Sequence, residues 1–262
     1  MWQTIQDIFP YAITYTIPLL IVALGGLFSE RSGVVNIGLD GLMIIGSFAS
    51  VITVYSLPSN TPGAIWIGIL VAAIAGMLFS LLHAFASINL KANQVISGTA
   101  INLMAGSLTI YICNVVADGS GRLALQGLPR KDVPFLSDIP VIGPLFFSDA
   151  YATTWVVLAI LIISPLLLYK TSFGLRLRAC GENPQAVAAA GVSVTKMRYI
   201  GVLTSGAFAG LGGAVMSMTY YGEFNGSVAG LGFLALAALI FGQWKPLGIL
   251  SASLCFGFAM TV

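Results

Sequence analysis

Residues 64–88 read AIWIGILVAAIAGMLFSLLHAFASI, a run without a single Asp, Glu, Lys or Arg. A helix needs about 20 apolar residues to cross a bilayer core of roughly 30 Å, so this stretch reads as a membrane span. The charge-free interval extends from Gly41 to Leu90, and the turn cluster Leu57-Pro58-Ser59-Asn60-Thr61-Pro62-Gly63 divides it into two helices. Of 262 residues, 58% are hydrophobic and only 8% charged, with a mean hydropathy of +0.96. A soluble domain carries about 25% charged residues, so this chain lacks the polar surface that a water-soluble fold requires. Its apolar content allows roughly seven or eight crossings. The apolar runs are continuous rather than alternating, which excludes an outer-membrane barrel as well as disordered and collagen-like classes.

A charge at the bilayer centre costs about 2.5 to 3.5 kcal/mol, so the gaps between charges mark the spans. They predict an all-α polytopic bundle of about eight spans, forming one membrane domain over residues 1–262. The first lies between Asp7 and Glu30, and the second runs from after Arg31 through Tyr55 with Asp40 as an interruption. The third is 64–88; the fourth lies between Lys91 and Asp118, the fifth between Asp149 and Lys170, the sixth between Arg198 and Glu223, and the seventh between Glu223 and Lys245. An eighth run follows Pro246 to Val262. The first run has no basic residue before it and contains Pro18, so it reads as a retained span rather than a cleaved signal. On alternating sides, Arg31, Lys91, Lys170, Arg176, Arg178, Lys196, Arg198 and Lys245 share one face of the membrane, against Arg122, Arg130 and Lys131 on the other. The positive-inside rule makes the first face cytoplasmic. Residues 117–150, rich in breakers (Gly127, Pro129, Pro134, Pro140, Gly143, Pro144), then form an extracytoplasmic loop of short irregular pieces, and 170–198 a cytoplasmic segment. Net charge is +2 with no basic tail, so nothing points to nucleic acid. Cys113, Cys180 and Cys255 share no metal-ligand spacing with each other or with His83, the only histidine, and read as scattered thiols with no metal site.

Three blocks carry function. In 30–48, ERSGVVNIGLDGLMIIGSF, glycines, Asn36 and Asp40 gather at the entrance to a span, where such backbone is tolerated only beside a cavity or another helix. Two readings of Asp40 stand: structural pairing near the interface, with Arg31 or a helix end, or a place on the solute pathway. In 173–194, FGLRLRACGENPQAVAAAGVSV, Asn183 caps a helix whose first residue is Pro184, and Gly191 ends it. Its alanine-rich face suits a groove on another protein rather than lipid. In 230–248, GLGFLALAALIFGQWKPLG, Ala235 and Ala238 join Gly206, Gly210, Gly212 and Gly213 of the preceding span as close-packing residues.

In this order and spacing, the three blocks resemble the membrane permease subunits of ATP-binding-cassette importers for sugars and nucleosides, the group that includes ribose-type permeases. The resemblance is closest to the smaller permease of nucleoside uptake systems and covers nearly the whole chain. Members usually continue for another span or two beyond the point where this sequence ends, and often carry Glu where Asp40 stands. The resemblance implies that Arg178, Gly181, Glu182, Asn183, Pro184 and Ala186 belong to a coupling helix that docks on a cytoplasmic ATPase. It implies that Asn36, Gly38, Asp40 and Gly41 face the solute pathway, with Asn93, Gln94, Ser97 and Asn102 on the fourth span. It further implies a second permease subunit in a heterodimer, an extracytoplasmic solute-binding lipoprotein, and residence in the bacterial inner membrane. The sequence has no GxxxxGK[ST], so ATP and Mg are used by the partner rather than bound here, and the chain is not itself an enzyme. Nucleosides lead as substrates, followed by riboflavin and simple sugars. An ion-coupled secondary transporter is the rival reading, although Asp40 stands nearly alone as an intramembrane acid. A membrane hydrolase would need His83 in a dyad with a serine, and no carboxylate partner is evident.

Overall fold

The computed structural model describes residues 2–58, 61–117, 119–125, 127–134, 137 and 143–261. Expectations falling on Ser59, Asn60, Asp118, Pro140 and Val262 lie outside the described residues. The helices are α1 (Trp2–Arg31), α2 (Leu39–Ser56), α3 (Ala64–Ala84), α4 (Gln94–Val116), α5 (Ala152–Lys170), α6 (Ser172–Glu182), α7 (Pro184–Ala189), α8 (Val194–Met216), α9 (Leu231–Phe241) and α10 (Pro246–Ala259). Single π-helical turns extend α3 over Phe85–Asn89 and α8 over Ser217–Tyr221, and another occupies Gly143–Phe147. Six of these helices are long and apolar enough to cross a membrane, and α9 and α10 are shorter apolar helices. The architecture is the all-α polytopic bundle expected, with two of its eight apolar segments cut short.

The chain is built around α1 and α8. The apolar window of α1 is 89% buried, against 22% in α4, so α1 runs through the centre while α4 lies at the periphery. Leucines and isoleucines at Leu19, Leu20, Ile21, Leu24 and Leu27 fill the middle of the core. Lipid gives helices no hydrophobic reason to associate, so close van der Waals contact must hold them, and that requires small residues. At Gly46, Gly76, Gly206, Gly210 and Gly213, an added Cβ would overlap the backbone or side chain of a facing helix. Met43, for example, puts its carbonyl oxygen where a Cβ of Gly213 would sit. These contacts join α2, α3 and α8 into one block, with α1 along its side.

Two polar ends cap the bundle. At one, Arg31, Arg178 and Arg198 meet: Arg198 Nε donates to Ser32 O at 3.3 Å, and Arg31 and Arg178 share a cleft. At the other, Arg130 Nε donates to Tyr151 Oη (3.0 Å), Tyr151 Oη donates to Thr219 O (3.0 Å), and the Arg130 guanidinium lies 4.5 Å from the Tyr11 ring centre. Tyr11 and Arg31 are both on α1, separated by about 30 Å at 1.5 Å per residue, which is the thickness of a bilayer core. The 117–150 loop contributes β1 (Leu123–Ala124), antiparallel to β2 (Glu223–Phe224) with Leu123 opposite Phe224. The Arg122–Glu223 pair at 3.6 Å, with Arg122 exposed and Glu223 half-buried, contributes little to that ladder.

The seventh segment departs from expectation. Between Glu223 and Lys245 only α9 is helical, about 16 Å long, because Gly226, Ala229 and Gly230 take positive φ (83°, 53° and 74°) and forbid a continuous helix. The helix therefore starts inside the bundle, and residues 225–230 reach it as irregular backbone from the β2 end.

Gly213→Ala is expected to cost about 1–3 kcal/mol by overpacking and to lower the unfolding temperature of the detergent-purified protein. Gly106→Ala on α4, where a Cβ meets nothing within 4 Å, serves as the control and should leave that temperature unchanged or raise it slightly.

Candidate transport site and coupling segment

Backbone inside a bilayer must find its hydrogen-bond partners within the protein. Residues 32–38 are such a stretch, since α1 stops at Arg31 and α2 starts only at Leu39. Val35 N–H donates to Gln94 Oε1 (2.8 Å), and Val35 O accepts from His83 Nε2 (3.1 Å). Because Nε2 donates, His83 Nδ1 is the acceptor for the Ser97 hydroxyl, 3.0 Å away. Ile37 O accepts from Asn102 Nδ2 (3.1 Å), and Asn102 Oδ1 accepts from Gly41 N–H (2.7 Å). Asn36 is fully buried; its Nδ2 donates to Ser205 Oγ (3.1 Å) and its Oδ1 accepts from Gly38 N–H (3.2 Å). The segment can lie this close to α4 because Gly41 and Gly98 leave no room for a Cβ and Gly38 leaves little; at Gly41 it would sit 2.7 Å from Asn102 Cα.

Asn36, Gly38, Gly41, Gln94, Ser97 and Asn102 are therefore brought together as one polar mount for the break before α2. Asn93 stands apart: it is exposed and caps α4, accepting from Val95 N–H (2.9 Å). Sequence reasoning missed Ser205 and set His83 aside. Nothing in a run such as FSLLHAF marks a histidine as the partner of a backbone carbonyl 48 positions away.

Asp40 is half-buried, and its Oδ1 accepts from Gly232 N–H at 2.9 Å. Gly232 is the second residue of α9, and the preceding Gly230 has no side chain with which to cap that helix. Asp40 supplies the missing cap from another helix, with its negative charge near the positive ends of both α2 and α9. Of its two sequence-based readings, pairing with a helix end is what the geometry contains. Gly232 is required at the contact, because a Cβ there would overlap the Asp40 backbone.

Between α5 and α8 lie α6 and α7. Thr171 Oγ1 caps α6, accepting from Gly174 N–H (3.1 Å), and Asn183 Oδ1 caps α7, accepting from Ala186 N–H (3.1 Å). Pro184 opens α7, and Gly191, at φ +79°, follows its end, as the sequence indicated. The extra helix α6 was not foreseen; it buries Gly174, Leu177 and Cys180 at helical spacing. Val187 anchors α7 in an apolar nest with Cys180 and Met197, leaving Gln185, Ala186, Ala188 and Ala189 exposed. Burial pushes the Cys180 thiol up, against the opposing pull of Arg198. Gly181 has a packing role, since its Cβ would lie 2.5 Å from Arg31 O.

The turn from α9 to α10 holds Gln243 and Trp244 consecutively at φ 52° and 53°, a conformation that costs non-glycine residues about 1–2 kcal/mol each. Trp244 Nε1 donates to the Glu30 carboxylate, and Trp244 O accepts from Arg31 Nη2 (2.9 Å) and Tyr169 Oη (3.5 Å).

With this geometry in place, comparison with known proteins decides the family. The model of the branched-chain amino acid transport system permease component matches residues 8–262. The chain belongs to this permease family. It is 47% identical to the guanosine ABC transporter permease protein NupQ of Bacillus subtilis, over 99% of this chain and 82% of NupQ. It is 43% identical to the nucleoside ABC transporter permease protein NupC of Lactococcus lactis (97% and 81%), and 34% identical to the putative glucose ABC transporter permease protein TsgC13 of Haloferax volcanii (91% and 71%). A second guanosine permease protein of Bacillus subtilis, NupP, is 28% identical over 97% of this chain. No solved structure matches significantly. The resemblance carried by the three sequence blocks thus holds over nearly the whole chain, and this permease is a multi-pass protein of the cytoplasmic membrane.

Removing the cap has a measurable cost. Asp40→Ala is expected to destabilise the purified permease by about 0.5–2 kcal/mol, whereas Asp40→Asn, which keeps an oxygen for Gly232 N–H, loses less. Thermal unfolding of the two variants separates capping from charge. Cys180, buried with a raised pKa, should resist maleimide at neutral pH in the folded protein and react fully once it is unfolded.

Proposed function

We propose that this permease is the membrane subunit of an ATP-driven importer of nucleosides and moves its solute by alternating access. The observation that carries the reading is the α6–α7 segment: a helix capped at Asn183, anchored at Val187 and presenting small exposed side chains away from the bundle. Such a surface is built to fit a groove on another protein. ATP and Mg are then used by a cytoplasmic ATPase docked on Arg178, Gly181, Glu182, Asn183, Pro184 and Ala186. A second permease subunit completes the channel, as the pair NupQ and NupP suggests, and a solute-binding lipoprotein delivers the substrate outside. ATP binds the two conformations with different affinity, and that difference shifts their populations.

The pathway is assigned to the polar mount and to the irregular backbone at 225–230, where half-buried Asp40, Asn102 and Asn225 offer hydrogen bonds without adding a second charge. An uncharged, hydrogen-bonding solute suits this lining, and the identities of NupQ and NupC favour nucleosides within that class. Ion coupling is disfavoured because both acids within the described spans, Glu30 and Asp40, are already held by donors of this chain, Trp244 and Gly232.

Two measurements test the reading. Ala186→Arg should abolish copurification with the ATPase, or lower substrate-stimulated ATP hydrolysis at least tenfold, while membrane insertion is unchanged; wild-type coupling in this variant refutes the docking assignment. In proteoliposomes holding the complete complex, labelled guanosine uptake should require ATP and survive collapse of ion gradients. Unlabelled nucleosides should compete with it better than riboflavin or ribose. Uptake that follows the ion gradient without the ATPase would favour the secondary-transporter reading.

A further inference from the structure

The GQWKP portion of the third sequence block is unexplained by docking or by the pathway, yet it lies where the two meet. The turn is short, with only residues 242–245 between α9 and α10. Two consecutive non-glycine residues in the left-handed region, Gln243 and Trp244, persist in such a turn only when their surroundings hold them there. The holders are on other elements. Glu30 and Arg31 at the end of α1 grip the Trp244 indole N–H and carbonyl, and Tyr169 of α5 reaches the same carbonyl.

Those residues are also where the α6–α7 segment meets the bundle. Gly181 of α6 packs on the Arg31 carbonyl, and its Cα is 3.2 Å from where a Cβ of Gly33 would lie. The Arg178 guanidinium sits 4.8 Å from the centre of the Tyr169 ring. Glu30, Arg31, Arg178, Glu182 and Trp244 line a cleft of about 320 Å³, which leaves room for rearrangement. Among the described residues, Arg31 Nε and Arg178 Nε are buried at this cleft without a hydrogen-bond partner. The far end of α9 is the Asp40 cap.

We infer that Trp244, held by Glu30 and Arg31, is the joint through which displacement of the α6–α7 segment is passed to α9, and along α9 to the Asp40 end of the pathway. Trp244 and Glu30 are positioning residues that touch neither ATP nor solute. The inference rests on the coupling role proposed for α6–α7.

The test uses the complete reconstituted complex with guanosine as the transported probe, and reads guanosine moved per ATP hydrolysed. Trp244→Phe keeps an aromatic ring and removes the N–H; Glu30→Ala removes its acceptor; Glu30→Gln retains an acceptor oxygen. Trp244→Phe and Glu30→Ala should assemble with the ATPase and hydrolyse ATP while the transport ratio falls at least tenfold, and Glu30→Gln should restore it to within twofold. Should Trp244→Phe fail to assemble, the Glu30 pair decides. A ratio within twofold of wild type in Trp244→Phe and Glu30→Ala overturns the inference, as does a parallel loss of hydrolysis and transport, which would mark the joint as merely structural. A wild-type permease that does not copurify with the ATPase overturns the coupling reading and this inference with it. A wild-type complex that couples no better than the variants overturns the inference alone.

Discussion

A helix that begins in the interior of a membrane leaves peptide N–H groups with no water to receive them, and in this permease the Asp40 carboxylate answers that need at Gly232. Much else follows from this bond. The carboxylate must be brought to the start of α9, which fixes where α2 begins and leaves residues 32–38 unwound. The unwound segment needs partners of its own, supplied by Gln94, Asn102, His83 and Ser205 from three surrounding helices. One polar contact thus propagates into a connected set of hydrogen bonds across α2, α3, α4, α8 and α9.

The two halves of the molecule are held by different physics. Around α2, α3 and α8 the contacts are backbone against backbone, short-ranged and independent of ionisation. Around α9, the apolar packing of Leu231, Ala235, Ala238 and Leu239 is joined by directional hydrogen bonds, at Asp40 on one end and at Glu30 and Arg31 on the other. Directional bonds can be exchanged for others at small net cost, whereas interlocked backbones move as a unit. The arrangement suits a transporter in which a stiff scaffold supports one short element that changes its attachments.

Most of the fold was legible because membrane insertion punishes charge so strongly. The intervals between charged residues place α4, α5 and α8 within a few residues of their observed ends, and the turn cluster at 57–63 places the start of α3. The Asn183-Pro184 start and Gly191 stop of α7 were legible because capping is a local matter. What the sequence could not reveal depended on backbone conformation and tertiary placement that residue type does not mark. The shortening of the seventh segment to α9 follows from positive φ at Ala229 as well as at Gly226 and Gly230, and no alanine announces such a conformation. Helix α6 was hidden because Arg176, Arg178 and Glu182 make it look like a solvated loop, although Leu177 and Cys180 are fully buried. Asp40 was recognised as costly to bury, but its partner is a backbone amide 192 positions away, which leaves no trace in residue type. His83 was set aside for want of a carboxylate, when its partners are a carbonyl and a hydroxyl.

The glycine contacts also shape how the protein can evolve. Glycine has no rotamers, so an error introduced at Gly46, Gly210 or Gly213 cannot be repaired by a neighbour turning aside; the facing atoms are backbone and have nowhere to go. Single changes are accommodated more readily on the outward face of α4, where a Cβ at Gly106 meets nothing within 4 Å. The scaffold beneath can change only by compensating steps in two helices at once.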